Sequence, residues 1–204
     1  MRGLQRTLVI SVFGVLLVLV VLPLWYSVYS SGLTTPPLRG TFLQIYRHHE
    51  SWPPEKWTQL FHYFKTLQVR ELVVQWTVYD DASFLPGENI ADPNQTLNQI
   101  MNQAAAAGIK VWLGLVYDSH FWQKIQREPS LVQVYLRRLR LQSETTARAL
   151  AEAYPYFAGW YIATEIDDKN WQAFDSRQVL FDYLKDQTAS LHWLRPGSKV
   201  AISG

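Results

Sequence analysis

Cysteine is absent from the 204 residues, which excludes a disulfide framework, a thiolate metal site and a lipid-modified cysteine. Net charge is equally thin, at +2. The one basic run, Arg137-Arg138-Leu139-Arg140, lies in a helical pattern among polar residues. A solvated helix face accounts for it, with phosphate or membrane contact as the lesser alternative, and nucleic acid is not an expected partner. No glycine-rich turn follows the first predicted strand, where Arg47-His48-His49-Glu50-Ser51-Trp52-Pro53-Pro54 stands instead. The chain therefore has no phosphate cradle, and no cofactor is expected. His48, His49 and Glu50 resemble ligands in type only: adjacent histidines point apart in an extended loop, and no third ligand is spaced with them.

What the chain does have begins at its amino terminus. No charged residue lies between Arg6 and Arg39, and Leu8 to Tyr29 is almost wholly aliphatic or aromatic. As a helix that stretch covers about 33 Å, enough to span a hydrocarbon layer. Arg2 and Arg6 precede it, and Trp25, Tyr26 and Tyr29 crowd its far end. The positive-inside rule keeps the amino terminus in the cytoplasm and exports everything after residue 31. A cleaved secretory signal is the competing reading, through Val28-Tyr29-Ser30, but the apolar core is longer than a usual signal and Pro23 followed by aromatics makes a weak cleavage region. The expected organisation is an anchor over 1–31, a linker over 32–39 containing Pro36-Pro37, and an exported domain over 40–204. The expected location is a single pass through the inner membrane with the main domain on the periplasmic side.

Past the linker, strand and helix patterns alternate. Strands are predicted over Gly40–Tyr46, Arg70–Trp76, Lys110–Val116, Phe157–Ala163 and Lys199–Ile202; helices over Pro53–Leu67, Pro93–Ala107, Ser130–Ala153 and Ser176–Leu194. Glu71-Leu72-Val73-Val74-Gln75-Trp76 is too short and too β-branched for a helix, whereas Leu97, Ile100, Met101 and Ala104 recur at helical spacing. Alternation of this kind implies a parallel sheet. The turns into strands are short, while the loops after strands, Thr77 to Asp92 and Tyr117 to Pro129, are long and rich in aromatics and acids. Long loops after strands, together with the missing nucleotide fingerprint, favour a (β/α)8 barrel over a doubly wound sheet. A full barrel usually takes about 250 residues, so the pattern reads as a barrel truncated after its fifth strand.

The most informative stretch is Ala158-Gly159-Trp160-Tyr161-Ile162-Ala163-Thr164-Glu165-Ile166-Asp167-Asp168, an apolar run that stops in three carboxylates. A buried strand reads this way when it delivers acids to the end of the sheet where barrels do chemistry. Alternation places Tyr161 and Ala163 on the same side as Glu165, with Trp160 and Ile162 against the helices. A carboxylic acid walled by aromatics is a candidate general acid/base, and glycosidic cleavage asks for one together with a second carboxylate. The plainer reading makes Glu165, Asp167 and Asp168 a solvated loop that caps the next helix. Trp52, Trp76, Trp122 and Trp171 fall at or after strand ends, where indole faces could stack on sugar rings. Trp112 and Trp160 in strands, and Trp57 and Trp193 in helices, are expected in the core. Gln44 and Gln75 close the first two strands and could hold a sugar hydroxyl or satisfy loop backbone. Asp80-Asp81 and Asp118 with His120 are loop polar groups first, Asp118 having the better claim to a cleft.

These residues also carry a resemblance. Gly40-Thr41-Phe42-Leu43-Gln44, Val74-Gln75-Trp76, Gly114-Leu115 with Tyr117-Asp118 and Phe121-Trp122, and Trp160-Tyr161 with Glu165-Ile166-Asp167-Asp168 resemble a bacterial family described as a domain of unknown function, similar in turn to the glycoside hydrolase barrels. The resemblance covers residues 40 to 204. In the retaining barrel glycosidases the acid/base glutamate ends the fourth strand, which the resemblance assigns to Glu165. An asparagine normally precedes that glutamate and Thr164 stands here, while the nucleophile belongs to a seventh strand with no counterpart in this sequence. The implied function is a membrane-anchored, exported glycoside-hydrolase-like protein that acts on envelope polysaccharide or oligosaccharide. Glu165 is its general acid/base, and Gln44, Gln75, Trp76, Tyr117, Asp118, Trp122, Tyr161, Asp167 and Trp171 are its substrate contacts. The alternatives are a noncatalytic carbohydrate-binding or exopolysaccharide-assembly subunit, and a scaffold with no sugar affinity.

Overall fold

A computed structural model describes residues 38–87 and 92–204. The expected anchor over 1–31 lies outside the described residues, and no helix among those described is long and apolar enough to cross a membrane.

The described chain folds as a parallel sheet flanked by helices. Strands β1 (Gly40–Leu43), β2 (Glu71–Val74), β5 (Lys110–Gly114), β7 (Gly159–Ile162) and β8 (Lys199–Ile202) form one five-stranded sheet in the order β1-β2-β5-β7-β8. Every pairing in it is parallel, with Leu43 opposite Val74, Val74 opposite Leu113 and Leu113 opposite Trp160. Helices α1 (Pro54–Thr66), α2 (Thr96–Ala107), α4 (Pro129–Ala153) and α5 (Phe174–Leu194) connect the strands, and a four-residue helix α3 (Phe121–Lys124) sits in the loop after the third of them. Proline at the first turn starts α1 and α4, where its missing N–H is no loss. Helix α2 stops at Gly108, whose φ of 69° closes the end by donating its N–H to Ala104 and Ala105.

The helix-facing side of the sheet is the core. Leu72, Val74, Val111, Leu113, Trp160 and Ile162 are buried there with Trp57, Phe61, Leu97, Ile100, Leu136 and Leu150 from the helices. Two expectations for the core fail. Trp193 is 75% exposed on α5, because the buried positions of that helix are Leu180, Tyr183, Gln187 and Leu191. Trp112 lies on the opposite side of the sheet, half-buried, with Nε1 donating to Glu71 at 2.7 Å.

That opposite side is curled. Strands β1 and β7 have two strands between them, which in a flat sheet would separate them by about 14 Å. Yet Phe42 and Tyr161 meet edge to face with ring centroids 5.4 Å apart. The sheet therefore bends into a trough, as a barrel wall does. Two glycines permit the close approaches inside it: a Cβ at Gly114 would fall 2.2 Å from the Gln75 carbonyl oxygen, and one at Gly159 would fall 2.6 Å from the Trp112 ring.

The loop predicted over Thr77 to Asp92 contains structure of its own. β3 (Val78–Tyr79) and β4 (Ala82–Ser83) form a hairpin, and β3 also pairs in parallel with β6 (Val116–Tyr117). Pairs of two residues are too short to leave a periodic signal. The turn is made by Asp80 at φ 51°, a left-handed conformation that aspartate tolerates better than most residues.

Candidate active site at the strand ends

Continuing the register one residue past β1 and β2 sets Gln44 beside Gln75, and one position further along the trough Glu165 follows Tyr161 and Ala163 on the same side of its strand. The side chains join in a row. Tyr46 Oη donates to Gln44 Oε1 at 3.0 Å, Gln44 Nε2 donates to Gln75 Oε1 at 2.8 Å, and Gln75 Nε2 donates to Glu165 Oε1 at 3.4 Å. The last contact skips the strand between β2 and β7, so it exists only because the sheet curls. Below Glu165, the Tyr161 hydroxyl shares a hydrogen bond of 2.6 Å with Ser203 at the end of β8. Burial, opposed by that bond and helped by the nearby Glu165 charge, raises the Tyr161 hydroxyl above its ordinary range.

An aromatic wall stands beside the row. Trp76 is buried, with Nε1 donating to the Ile45 carbonyl at 2.7 Å. Tyr117 stacks on it at 5.0 Å and Tyr79 stacks on Tyr117 at 5.6 Å, while Tyr46 meets Trp76 edge-on at 5.5 Å. The indole is thus covered by other rings, and the half-buried tyrosines 46, 79 and 117 form the accessible rim. Tyr117 is raised above the ordinary phenol range by burial first, then by the charge of Glu165, then by Tyr79 and Asp80. Tyr46 is raised by burial and by Tyr79. Tyr46 and Tyr79 were not among the residues expected here. Tyr46 had a signal, since it lies two positions past Gln44; Tyr79 owes its place to β3, which had none.

Other expected contacts lie elsewhere. Asp118 is held by Lys124 Nζ at 2.5 Å, the Tyr135 hydroxyl at 3.0 Å and the His120 N–H at 2.9 Å. It lines a groove against α4 rather than the Glu165 row. Burial pushes its carboxyl upward, but Lys124, His120 and Tyr135 together outweigh that and hold it below its ordinary value. Trp122 packs edge-on against Phe121 within α3. Trp171 is buried and offers no open ring face. Asp167 accepts from both the backbone N–H and the side-chain amide of Asn170, at 2.7 and 2.6 Å, which makes it the loop-closing residue of the plainer reading. Thr164 is buried, and alternation directs it to the helix-facing side of its strand. Trp52 is half-buried, with Lys56 over its ring at 4.0 Å.

Two groups have the residue types of metal ligands. Asp80, Asp118 and His120 bring ligand atoms within 4.8 Å of one another. The Lys124 ammonium on Asp118 and the Ser119 N–H on Asp80, at 2.8 Å, already serve those oxygens, and a fixed cation beside the cluster opposes a second one. His49 is buried, and its Nδ1 accepts the Tyr46 N–H at 2.9 Å as part of a capping box. Burial, with His48 and Lys56 adding to it against a backbone bond to Tyr46, lowers its pKa.

Residues 38–204 match the family described as a domain of unknown function, DUF4434. The uncharacterized protein YbcH of Escherichia coli K12 is 30% identical over 153 residues, which is 73% of this chain and 49% of YbcH. Among solved structures, a candidate alpha-L-fucosidase from Bacteroides thetaiotaomicron superposes with a TM-score of 0.60 at 18% identity, over 83% of this chain and 53% of its own. An endo-1,4-beta-mannanase from Rhizomucor miehei gives 0.48 at 15% identity, over 80% and 55%. The chain spans about half the length of each of these proteins. The first of these superpositions shows a likeness of fold, an α/β fold with a parallel sheet.

Proposed function

Because this chain belongs to the DUF4434 family, of glycoside-hydrolase-like fold, we propose that it is an exported, membrane-anchored protein acting on envelope or extracellular polysaccharide, with Glu165 as general acid/base in a (β/α)8 barrel. The observation that carries this reading is the row Tyr46-Gln44-Gln75-Glu165, which spans the curled sheet and presents one carboxylate beside a tyrosine rim. Glu165 would pass a proton to the glycosidic oxygen as its bond to the anomeric carbon breaks, then take one back from the attacking water. Gln44, Gln75 and the tyrosine hydroxyls supply uncharged hydrogen-bonding groups of the kind that sugar hydroxyls need. The anchor is the apolar stretch Leu8 to Tyr29, and resistance of the full chain to carbonate extraction tests it.

The enzyme reading is tested by incubating detergent-solubilised full-length protein with a panel of envelope glycans and measuring newly formed reducing ends. Glu165→Gln should lower turnover by about 10²- to 10⁴-fold; equal activity on every glycan that the wild type cleaves ends the assignment. One observation favours a noncatalytic carbohydrate-binding subunit as a second reading: the half-buried tyrosines 46, 79 and 117 form a continuous aromatic rim beside the row, on which a sugar ring could stack. Glycan binding without turnover, weakened by Gln75→Ala, supports that second reading.

A further inference from the structure

Helix α4 is two-sided in a way the strand-end chemistry does not use. It buries Val132, Leu136, Leu139, Ala147 and Leu150. On its outer side Leu131, Val134 and Leu141 remain 55%, 68% and 50% exposed. At helical spacing, positions 131, 134, 138, 141, 145 and 148 share one stripe, so Arg138 and Arg148 are interleaved with those apolar side chains, and Arg127 stands just before the first of them. Among the described residues the ion-paired arginines are Arg47 and Arg140. Arg127, Arg138 and Arg148 are not in an ion pair. Of the carboxylates nearby, Glu144 is taken by Arg140 and Ser190 and Asp118 by Lys124; the exposed Glu128 and Glu152 are in no ion pair among the described residues and leave the face, which also carries Arg137, with an excess of positive charge. A groove of about 870 Å³ runs along the stripe, with Leu131, Val134, Arg127 and Arg138 on its walls and Asp80 at its far rim.

The neighbouring helix gives the contrast. α5 also exposes large apolar groups, Phe174, Phe181 and Trp193, but its sequence mixes Asp175, Asp182 and Asp186 with Arg177 and Lys185, so no excess of positive charge accompanies them. Exposed aliphatic groups ringed by unpaired guanidiniums match a surface that is anionic outside and apolar just beneath. A polysaccharide or a nucleic acid offers the charge without an apolar layer. We propose that the outer face of α4 seats on an anionic lipid bilayer, its arginines on headgroup phosphates and Val134 and Leu141 at the acyl boundary. The expected amino-terminal anchor would keep such a surface within reach. The proposal does not depend on what Glu165 does.

The absence of cysteine permits a direct test. Full-length single-cysteine variants Val134→Cys, Leu141→Cys and, as control, Phe181→Cys are labelled with a polarity-sensitive fluorophore and reconstituted into vesicles carrying spin-labelled quencher lipids. In phosphatidylglycerol-containing vesicles the probes at 134 and 141 should be quenched at least threefold more than the probe at 181. Pure phosphatidylcholine, 0.5 M salt, or Arg138→Glu with Arg148→Glu should each abolish the difference. The proposal is overturned if positions 134 and 181 quench alike in anionic vesicles, if quenching at 134 is equal in zwitterionic vesicles, or if the probe at 134 is shielded in proportion to protein concentration without lipid, which would mark a second copy as the occupant.

Discussion

Two acidic side chains stand after strands of the two different sheets and have opposite fates. Asp118, after β6, is drawn sideways into a cage of Lys124, Tyr135 and its own loop backbone, and its charge is spent on structure. Glu165, after β7, accepts one long bond from Gln75 and is otherwise faced by hydroxyl-bearing rings. The difference comes from what lies within reach. Lys124 sits six residues beyond Asp118 in the short helix α3, whereas no lysine or arginine forms an ion pair with Glu165 among the described residues. A strand-end acid is thus available for chemistry when its own loop fails to supply a cation.

The sharpest way to break this contrast is to neutralise each acid in turn. Glu165→Gln should remove activity by about 10²-fold or more while leaving the melting temperature nearly unchanged, and Asp118→Asn should do the reverse, measured by reducing-end assay and thermal unfolding on the same preparations. Next in size is Gly114→Ala. Its added methyl would strike the Val74 and Gln75 backbone at 2.2 to 2.3 Å, where neither neighbour is a flexible side chain, so a loss of about 3 kcal/mol is expected, visible as an early denaturant midpoint and a disturbed Gln75.

Asp118→Asn and Lys124→Ala should each cost about 1.5–3 kcal/mol, the range for hydrogen bonds to charged groups. The pH dependence carries a sign. Because the folded state holds the Asp118 carboxyl below its ordinary value of 3.8, its contribution is fully present above that pH and fades as acid titrates it through the lower folded value. Asp118→Asn should therefore lose most stability near neutrality, and its deficit against wild type should shrink below about pH 3.8. The smallest effect belongs to Tyr46→Phe, which removes the first donor of the row and should lower stability by about 0.5–1.5 kcal/mol in the same unfolding experiment.

Much of the architecture was legible in the chain because a parallel sheet buried on one face writes itself as short β-branched runs between amphipathic helices. All five main strands and the four long helices overlap the spans where the patterns put them, with helix starts displaced by one to three residues and strands ending up to three residues early. The hairpin was illegible because pairing over two residues leaves no period. Within the site, parity along one strand sufficed to place Glu165 with Tyr161, and strand closure sufficed to mark Gln44 and Gln75. Tryptophan was the poor guide. Its size signals burial and ligand stacking equally well, so Trp76 and Trp171 read as open faces though both are covered, and Trp193 read as core though it is bare. Asp118 illustrates the same limit for charge, since its partner Tyr135 comes from a different helix and is adjacent only in three dimensions.

The sheet order also sets how the floor of the cleft is braced. β5 has a strand on either side, and its Gly114 is pressed against the Gln75 carbonyl of the neighbouring chain segment. A change that thickens this contact is therefore transmitted to Gln75 and, through its amide, to Glu165.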